Sequence, residues 1–324
     1  MTQPEYSRFR RVPLYGDRGS VLPLPGRAQM SVHGFPLRSV VRLLRPQQWT
    51  KNVFVLFPLV FSESLLDLEA LRLALLAMLL FSLLSSAVYV VNDILDREAD
   101  LRHPRKRLRP IASGEVSVAA GWVLAGLLIL AVVCGTLLWL PATFLVYAGL
   151  FAANSLLYCV YLKHKVIADV MGIATGFILR ILAGSAAIAV PSSSWILVCG
   201  FALALVLGFG KRRSELVNLG HNTGHRATLE SYDVPKVDTL LGISAAIALL
   251  AYMLYTVAPE TVRRHRTENL ILTVPLVAYG LFRYLFKAQE GNGDGPTEML
   301  MRDWVFPAIG VLWILLVAGI LYWR

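Results

Sequence analysis

Nine runs of apolar residues, each close to the length of a membrane crossing, alternate with short polar connections along the chain. They fall at about 46–62, 71–95, 116–137, 142–161, 166–190, 195–212, 238–258, 269–287 and 304–323. About 20 apolar residues in helical form span a bilayer core. Backbone groups at that depth find no water, so each segment has to satisfy its own hydrogen bonds. The pattern predicts an all-α polytopic membrane protein of nine transmembrane helices over residues 38–324. Residues 1–37 are polar and basic, with Arg8, Arg10, Arg11, Arg18 and Arg27 and no apolar stretch like a signal peptide. They are expected to form a disordered cytoplasmic arm beside anionic lipid.

Composition agrees. The chain is 56% hydrophobic and only 16% charged, more apolar than a soluble core of this length could bury. The three cysteines, Cys134, Cys159 and Cys199, lie in apolar runs without metal or disulfide spacing and read as small packing residues. Charge then sets an orientation. With the basic N-terminus inside, the loops at 96–115, 162–165, 211–237 and 288–303 face the cytoplasm, and the connections with Glu63, Asp67 and Glu69 face outward. Arg263-Arg264-His265-Arg266 breaks the rule by falling outside. The expected location is a bacterial inner membrane, with membrane lipids as surroundings and no nucleic-acid partner; a homo-oligomer is left open.

Chemistry concentrates where the second run ends. Asn92, Asp93, Asp96 and Asp100 follow about 20 nearly uncharged residues. At helical spacing Asn92, Asp96 and Asp100 share a face, with Asp93 one position aside. An acidic helix end is ordinarily a solvated one. Here, however, the segment Leu101–Pro110 follows at once with Arg102, Arg105, Lys106, Arg107 and Arg109. Hard oxygen ligands suit Mg²⁺, and a metal bridging phosphate oxygens with Arg and Lys neutralising the remainder suits a diphosphate. Asp93 and Asp96 are the candidate catalytic residues, and Asn92, Asp93, Asp96 and Asp100 the candidate Mg²⁺ ligands.

Polar residues inside the runs cost energy to place there and so mark function. Arg45, Lys51 and Asn52 open the first run, Lys163 follows the fourth, Arg180 lies deep in the fifth, and Lys211, Arg212 and Glu215 close the sixth. Together with Arg107 they are the candidate substrate-binding residues. Gly172 and Gly176 suggest close helix packing. His221 and His225 read as loop residues. Gly208–Lys211 lacks the spacing of a phosphate loop.

These motifs resemble the UbiA-type intramembrane prenyltransferase superfamily. Asn92–Asp100 matches its N-D-x-x-D-x-x-x-D motif, and Arg107-Leu108-Arg109-Pro110 with Gly114 matches the R-x-R-P-x-x-x-G loop that follows. The resemblance covers residues 38–323 and implies a helical bundle with a polar cavity on the cytoplasmic side. One feature departs from it. Where that superfamily carries a second aspartate-rich motif, this chain reads Lys211-Arg212-Arg213-Ser214-Glu215. That departure, with Leu44–Asn52, Tyr161-Leu162-Lys163 and Leu229-Glu230-Ser231-Tyr232, is similar to the decaprenyl-phosphate phosphoribosyltransferase branch. The resemblance implies Mg²⁺-dependent transfer of 5-phosphoribose from 5-phospho-ribose 1-diphosphate to a polyprenyl phosphate, towards an arabinose donor. Its rivals are an aromatic polyprenyltransferase, which would need the second acidic motif, and a non-enzymatic lipid carrier, which would leave the acid–base pairing unexplained.

Overall fold

The computed structural model describes residues 37–104, 106–219, 232–290 and 295–322. The expected basic arm up to residue 36, the two loop histidines and Leu229–Ser231 lie outside them. Among the described residues the chain is helical throughout, and eight helices are long and apolar enough to cross a membrane. In chain order the helices are α1 (Leu37–Leu44), α2 (Phe57–Phe61), α3 (Leu68–Leu95), α4 (Arg97–Arg102), α5 (Val118–Trp139), α6 (Thr143–Val160), α7 (Ala168–Ala187), α8 (Ser194–Leu219), α9 (Val234–Val257), α10 (Pro259–His265), α11 (Val274–Gln289), α12 (Pro296–Arg302) and α13 (Val305–Tyr322).

The first expected span takes an unusual form. Pro46–Leu56 is an 11-residue 3₁₀ run, continued by the five residues of α2. At rises of about 2.0 and 1.5 Å per residue the two pieces reach about 30 Å end to end, still enough for a bilayer core. Three residues per turn put Trp49, Asn52 and Val55 on one edge, where an α-helix would fan them out. That edge meets a serine stripe on α3. Trp49 Nε1 donates to Ser86 at 3.0 Å and Asn52 Nδ2 to Ser82 at 2.9 Å. On the other side it presses on α7 at Gly184, where an added Cβ would sit 2.0 Å from the Val55 carbonyl oxygen. Only glycine permits that approach.

Two apolar cores share α7. Phe81, Val132, Phe144, Phe151 and Ala183 pack α3, α5, α6 and α7 together. Val170, Phe177, Val206, Phe209, Leu241 and Tyr284 join α7 to α8, α9 and α11. Gly172 serves packing, as its spacing suggests: its carbonyl accepts from Asn154 on α6 at 2.9 Å. Apolar side chains left outward, such as Val123, Leu127, Leu130 and Leu138 on α5, suit a lipid environment.

Alternation of the helices gives two rims, and contacts close each one. At the rim away from the aspartates, Leu65 N donates to Tyr322 Oη at 2.9 Å, and Glu63 meets His265 Nδ1 at 2.6 Å. Buried His265 therefore fixes α10, with exposed Arg263, Arg264 and Arg266, to this rim. The basic cluster Arg263–Arg266 thus lies at the rim opposite the aspartates.

Candidate active site

At the other rim α3 ends within the acidic motif. Asp96 N still donates to Asn92 O at 2.9 Å, but Asp96 itself is the junction between α3 and α4. The four residues divide between two directions. Asn92 accepts from the Cys159 thiol and Asp96 from Lys163 Nζ at 2.9 Å, both at the end of α6. Cys159 is thus more than a packing residue. Asp93 and Asp100, two turns apart, turn instead to arginines. Arg109 Nη1 lies 3.1 Å from Asp93 and 2.6 Å from Asp100, and Arg45 Nη2 lies 2.5 Å from Asp93. Both carboxylates are almost wholly buried.

The loop that delivers Arg109 is anchored by apolar residues. Ile111 and Val116 insert beside Leu43, Val90 and Ala125. Gly114 turns the chain at φ +82°, a conformation costly for residues with a Cβ. Arg107, the sequence candidate, is exposed, and its side chain has no partner among the described residues. The R-x-R pattern marked both arginines, but nothing local said which would face the carboxylates.

Between α6, α7 and α8 lies a second ionic group. Arg212 is fully buried. Its Nε is 2.9 Å from Asp169, its Nη1 donates to Glu215, and its Nη2 donates to Tyr158 Oη at 2.9 Å. Tyr232 closes this group by donating to Asp169 at 3.0 Å and accepting from Ile167 N at 2.7 Å. Ile167 holds a positive φ of 65°, a strained state for a β-branched residue. Burial pushes the Tyr232 hydroxyl up to about 12, so it stays neutral in the cell's pH range. Asp169, Tyr158 and Arg109 were not among the candidate site residues. Asp169 and Tyr158 carried a signal as polar residues at the ends of apolar runs.

Deeper between the rims, Arg180 donates to Asn52 Oδ1 and to the Gly176 carbonyl, each at 2.8 Å. The rings of Phe151, Phe177 and Phe81 surround it at 4.5, 5.4 and 5.5 Å, a cation–π enclosure. Lys51 shares an electrostatic neighbourhood with Lys211, Arg180 and Arg45. Each carboxylate of the site already has its cation, whereas Lys51, Lys211 and Arg180 have no carboxylate partner among the described residues. Positive charge held between the rims of a membrane protein without counter-ions calls for an anionic ligand.

Residues 53–306 match the UbiA prenyltransferase family. The chain belongs to that family. Its relatives include proteins named decaprenyl-phosphate phosphoribosyltransferase. That of Mycolicibacterium smegmatis is 30% identical over 87% of this chain and 92% of its own length. That of Mycobacterium tuberculosis is 32% identical over 85% and 91%. Among solved structures, a UbiA homolog from Archaeoglobus fulgidus bound to DMAPP and Mg²⁺ superposes with a TM-score of 0.66, covering 87% of this chain and 99% of its own, at 17% identity. At that identity the likeness speaks for the UbiA fold alone.

The UbiA fold raises the question of a divalent metal. In kind, the donors fit: carboxylates and an amide oxygen are hard ligands. Their present arrangement is a loose one, and among the described residues no three His, Cys, Asp or Glu groups gather to hold an ion. Mg²⁺ commonly takes only one or two carboxylates and completes its shell with water and substrate phosphates. Asp96, the most open of the three aspartates at 28% side-chain exposure, suits such sharing.

Proposed function

We propose that this protein transfers 5-phosphoribose from 5-phospho-ribose 1-diphosphate to a polyprenyl phosphate such as decaprenyl phosphate. The observation that carries the reading is the pair of cations without counter-ions among the described residues, Lys51 and Lys211, beside an acidic motif whose own charges are neutralised. A donor with a diphosphate at one end and a separate phosphate at the other needs both kinds of contact. Relatives named decaprenyl-phosphate phosphoribosyltransferase support it.

In this reading Asn92, Asp93, Asp96 and Asp100 would hold Mg²⁺. The metal's contribution is to offset the charge on the departing diphosphate. Arg45 and Lys163 stand on the carboxylates and can pass to phosphate oxygens as the donor enters. Lys51 and Lys211 take the remaining phosphate charge. Arg212 is enclosed, so it works through position: it fixes the end of α8 from which Lys211 projects. Arg180 orients Asn52 beside Lys51. The bond from ribose C1 to the diphosphate oxygen breaks, and one from C1 to a lipid phosphate oxygen forms. That nucleophile is already ionised at neutral pH, so the reaction needs no strong general base. The product would feed formation of a polyprenyl-phosphate arabinose donor. The site would face the cytoplasm of a bacterial inner membrane, where a soluble sugar phosphate can reach it.

The test is direct. Purified protein in lipid nanodiscs receives labelled 5-phospho-ribose 1-diphosphate, polyprenyl phosphate and Mg²⁺, and label is sought in the lipid fraction. Label in that fraction is the expected result. Prenylation of an aromatic acid from an isoprenyl diphosphate, with the sugar donor ignored, would overturn the reading in favour of an aromatic prenyltransferase. Inertness towards both donor pairs would favour a lipid carrier.

A further inference from the structure

On the opposite side of α8 from the Arg212 group lies a cavity of about 570 Å³ that shares no residue with the site above. Arg212 and Arg213 are adjacent in sequence but about 100° apart on the helix. Arg212 therefore meets α7, and Arg213 meets α9 and α11. Arg213 is buried, with its Nε 2.5 Å from Asp238 and its Nη1 bonded to the Ala288 carbonyl. The remaining charged lining is Arg283, Lys287, Arg302 and Asp303, with Trp304 at the edge.

Two of these side chains build the wall. Arg283 is bound through both Nε and Nη2 to Asp303, at 3.0 and 2.7 Å, which ties α11 to the start of α13. Lys287 is different. Its carboxylate, Glu290, lies one turn on at 2.7 Å, and the two side chains are 33% and 36% exposed. An exposed pair of this kind holds weakly, so Lys287 can exchange Glu290 for a stronger anion. Four of the lining residues are basic and one is acidic, with Asp238 and Glu290 beside the lining as the partners of Arg213 and Lys287.

Its setting says what kind of anion. The lining lies at the end of α11 and the start of α13, two helices with outward apolar faces. Phe282 and Phe286 stand out from α11, and Val311 and Leu312 from α13. Trp304, 76% exposed, has the amphipathic ring that settles at the boundary of lipid and water. A soluble phosphate would use the charge and waste the apolar surroundings. A membrane lipid would use both, its headgroup in the cavity and its acyl chains along α11 and α13. Basic pockets between membrane helices are known receptors for anionic headgroups.

We propose that this cavity binds the phosphodiester headgroup of an anionic phospholipid from the leaflet on the aspartate side, with Lys287 and Arg302 as the main headgroup contacts. The bound lipid brackets the ends of α8, α11 and α12. The inference is independent of the reaction proposed above and survives its failure.

The experiment uses the full chain in nanodiscs of phosphatidylcholine, alone or with a minority of phosphatidylglycerol, followed by native mass spectrometry of the released protein. Wild type is expected to retain phosphatidylglycerol in preference to phosphatidylcholine. Lys287→Ala should weaken retention about fivefold, and adding Arg302→Ala should weaken it about as much again. Lys287→Arg should restore it, which separates loss of charge from loss of fold. Equal retention of both lipids, or undiminished retention by the double variant, would overturn the proposal. So would stripping of the lipid by millimolar inorganic phosphate with equal thermal stabilisation of lipid-free protein, because the ligand would then be a soluble anion.

Discussion

The guanidinium of Arg109 donates to the carboxylate of Asp100 across 2.6 Å, and the same nitrogen lies 3.1 Å from Asp93. One side chain from the loop after α4 thereby ties together two carboxylates separated by two helical turns. Without it, buried Asp100 would lose this cation beside Asp93, which would keep Arg45.

Arg109→Ala should therefore lower stability by about 2 kcal/mol, below the usual cost of breaking a fully buried pair because Arg109 is itself 25% exposed. Arg107→Ala, which removes an exposed side chain, should stay within about 0.5 kcal/mol of wild type. Thermal unfolding in detergent compares them. Equal losses would mean that the two arginines are interchangeable.

Asp96 is the open carboxylate of the motif. Asp96→Asn should lower transfer by at least about 10²-fold while leaving thermal stability nearly intact. Full turnover in excess EDTA, measured as label reaching the lipid, would remove the metal from the account.

Lys211 and Arg212 separate two roles that lie side by side in sequence. Lys211→Ala should raise the donor's apparent KM about tenfold with little change in stability, and extra Mg²⁺ should not compensate. Arg212→Asp should do worse, since it leaves Asp169 facing a new buried carboxylate and unravels the group held by Tyr232 and Tyr158. Steady-state kinetics on folded protein distinguishes the two. A Lys211 variant with unchanged KM would contradict a phosphate contact there.

Gly184 lies against the 3₁₀ run. Gly184→Ala would drive its methyl into the Val55 carbonyl, and backbone cannot move aside as a flexible side chain can. Recovery of folded protein should fall sharply, read as the monodisperse fraction on size exclusion. Normal recovery would show that the 3₁₀ run shifts at little cost.

Sidedness has its own check. Ser113 is exposed on the aspartate rim and Arg263 on the other. A cysteine at Ser113 should react with a membrane-impermeant maleimide only after the inner membrane is opened, and one at Arg263 should react in intact spheroplasts. The reverse pattern would invert the orientation.

Periodicity and composition determined much of this protein. Runs of about 20 apolar residues leave a chain only the helical solution in a bilayer, so the spans were legible without coordinates. The acidic motif and its basic sequel were equally legible, because both are contiguous. What tertiary structure decided is partnership. Local sequence could not choose Arg109 over Arg107, because the choice rests on Ile111 and Val116 finding a pocket between α3 and α5. Nor could it show that Pro46–Leu56 takes a tighter helix, since the advantage comes from serines on α3 and a glycine on α7. The Lys211-Arg212-Arg213 cluster looked like one basic patch. A helical twist of 100° per residue sends its members towards three different neighbours. Among the described residues one is left without a counter-ion beside Lys51, one is locked among carboxylates and tyrosine, and one walls a separate cavity. Charge is written in the sequence, but which charges remain uncompensated depends on what folding brings against them.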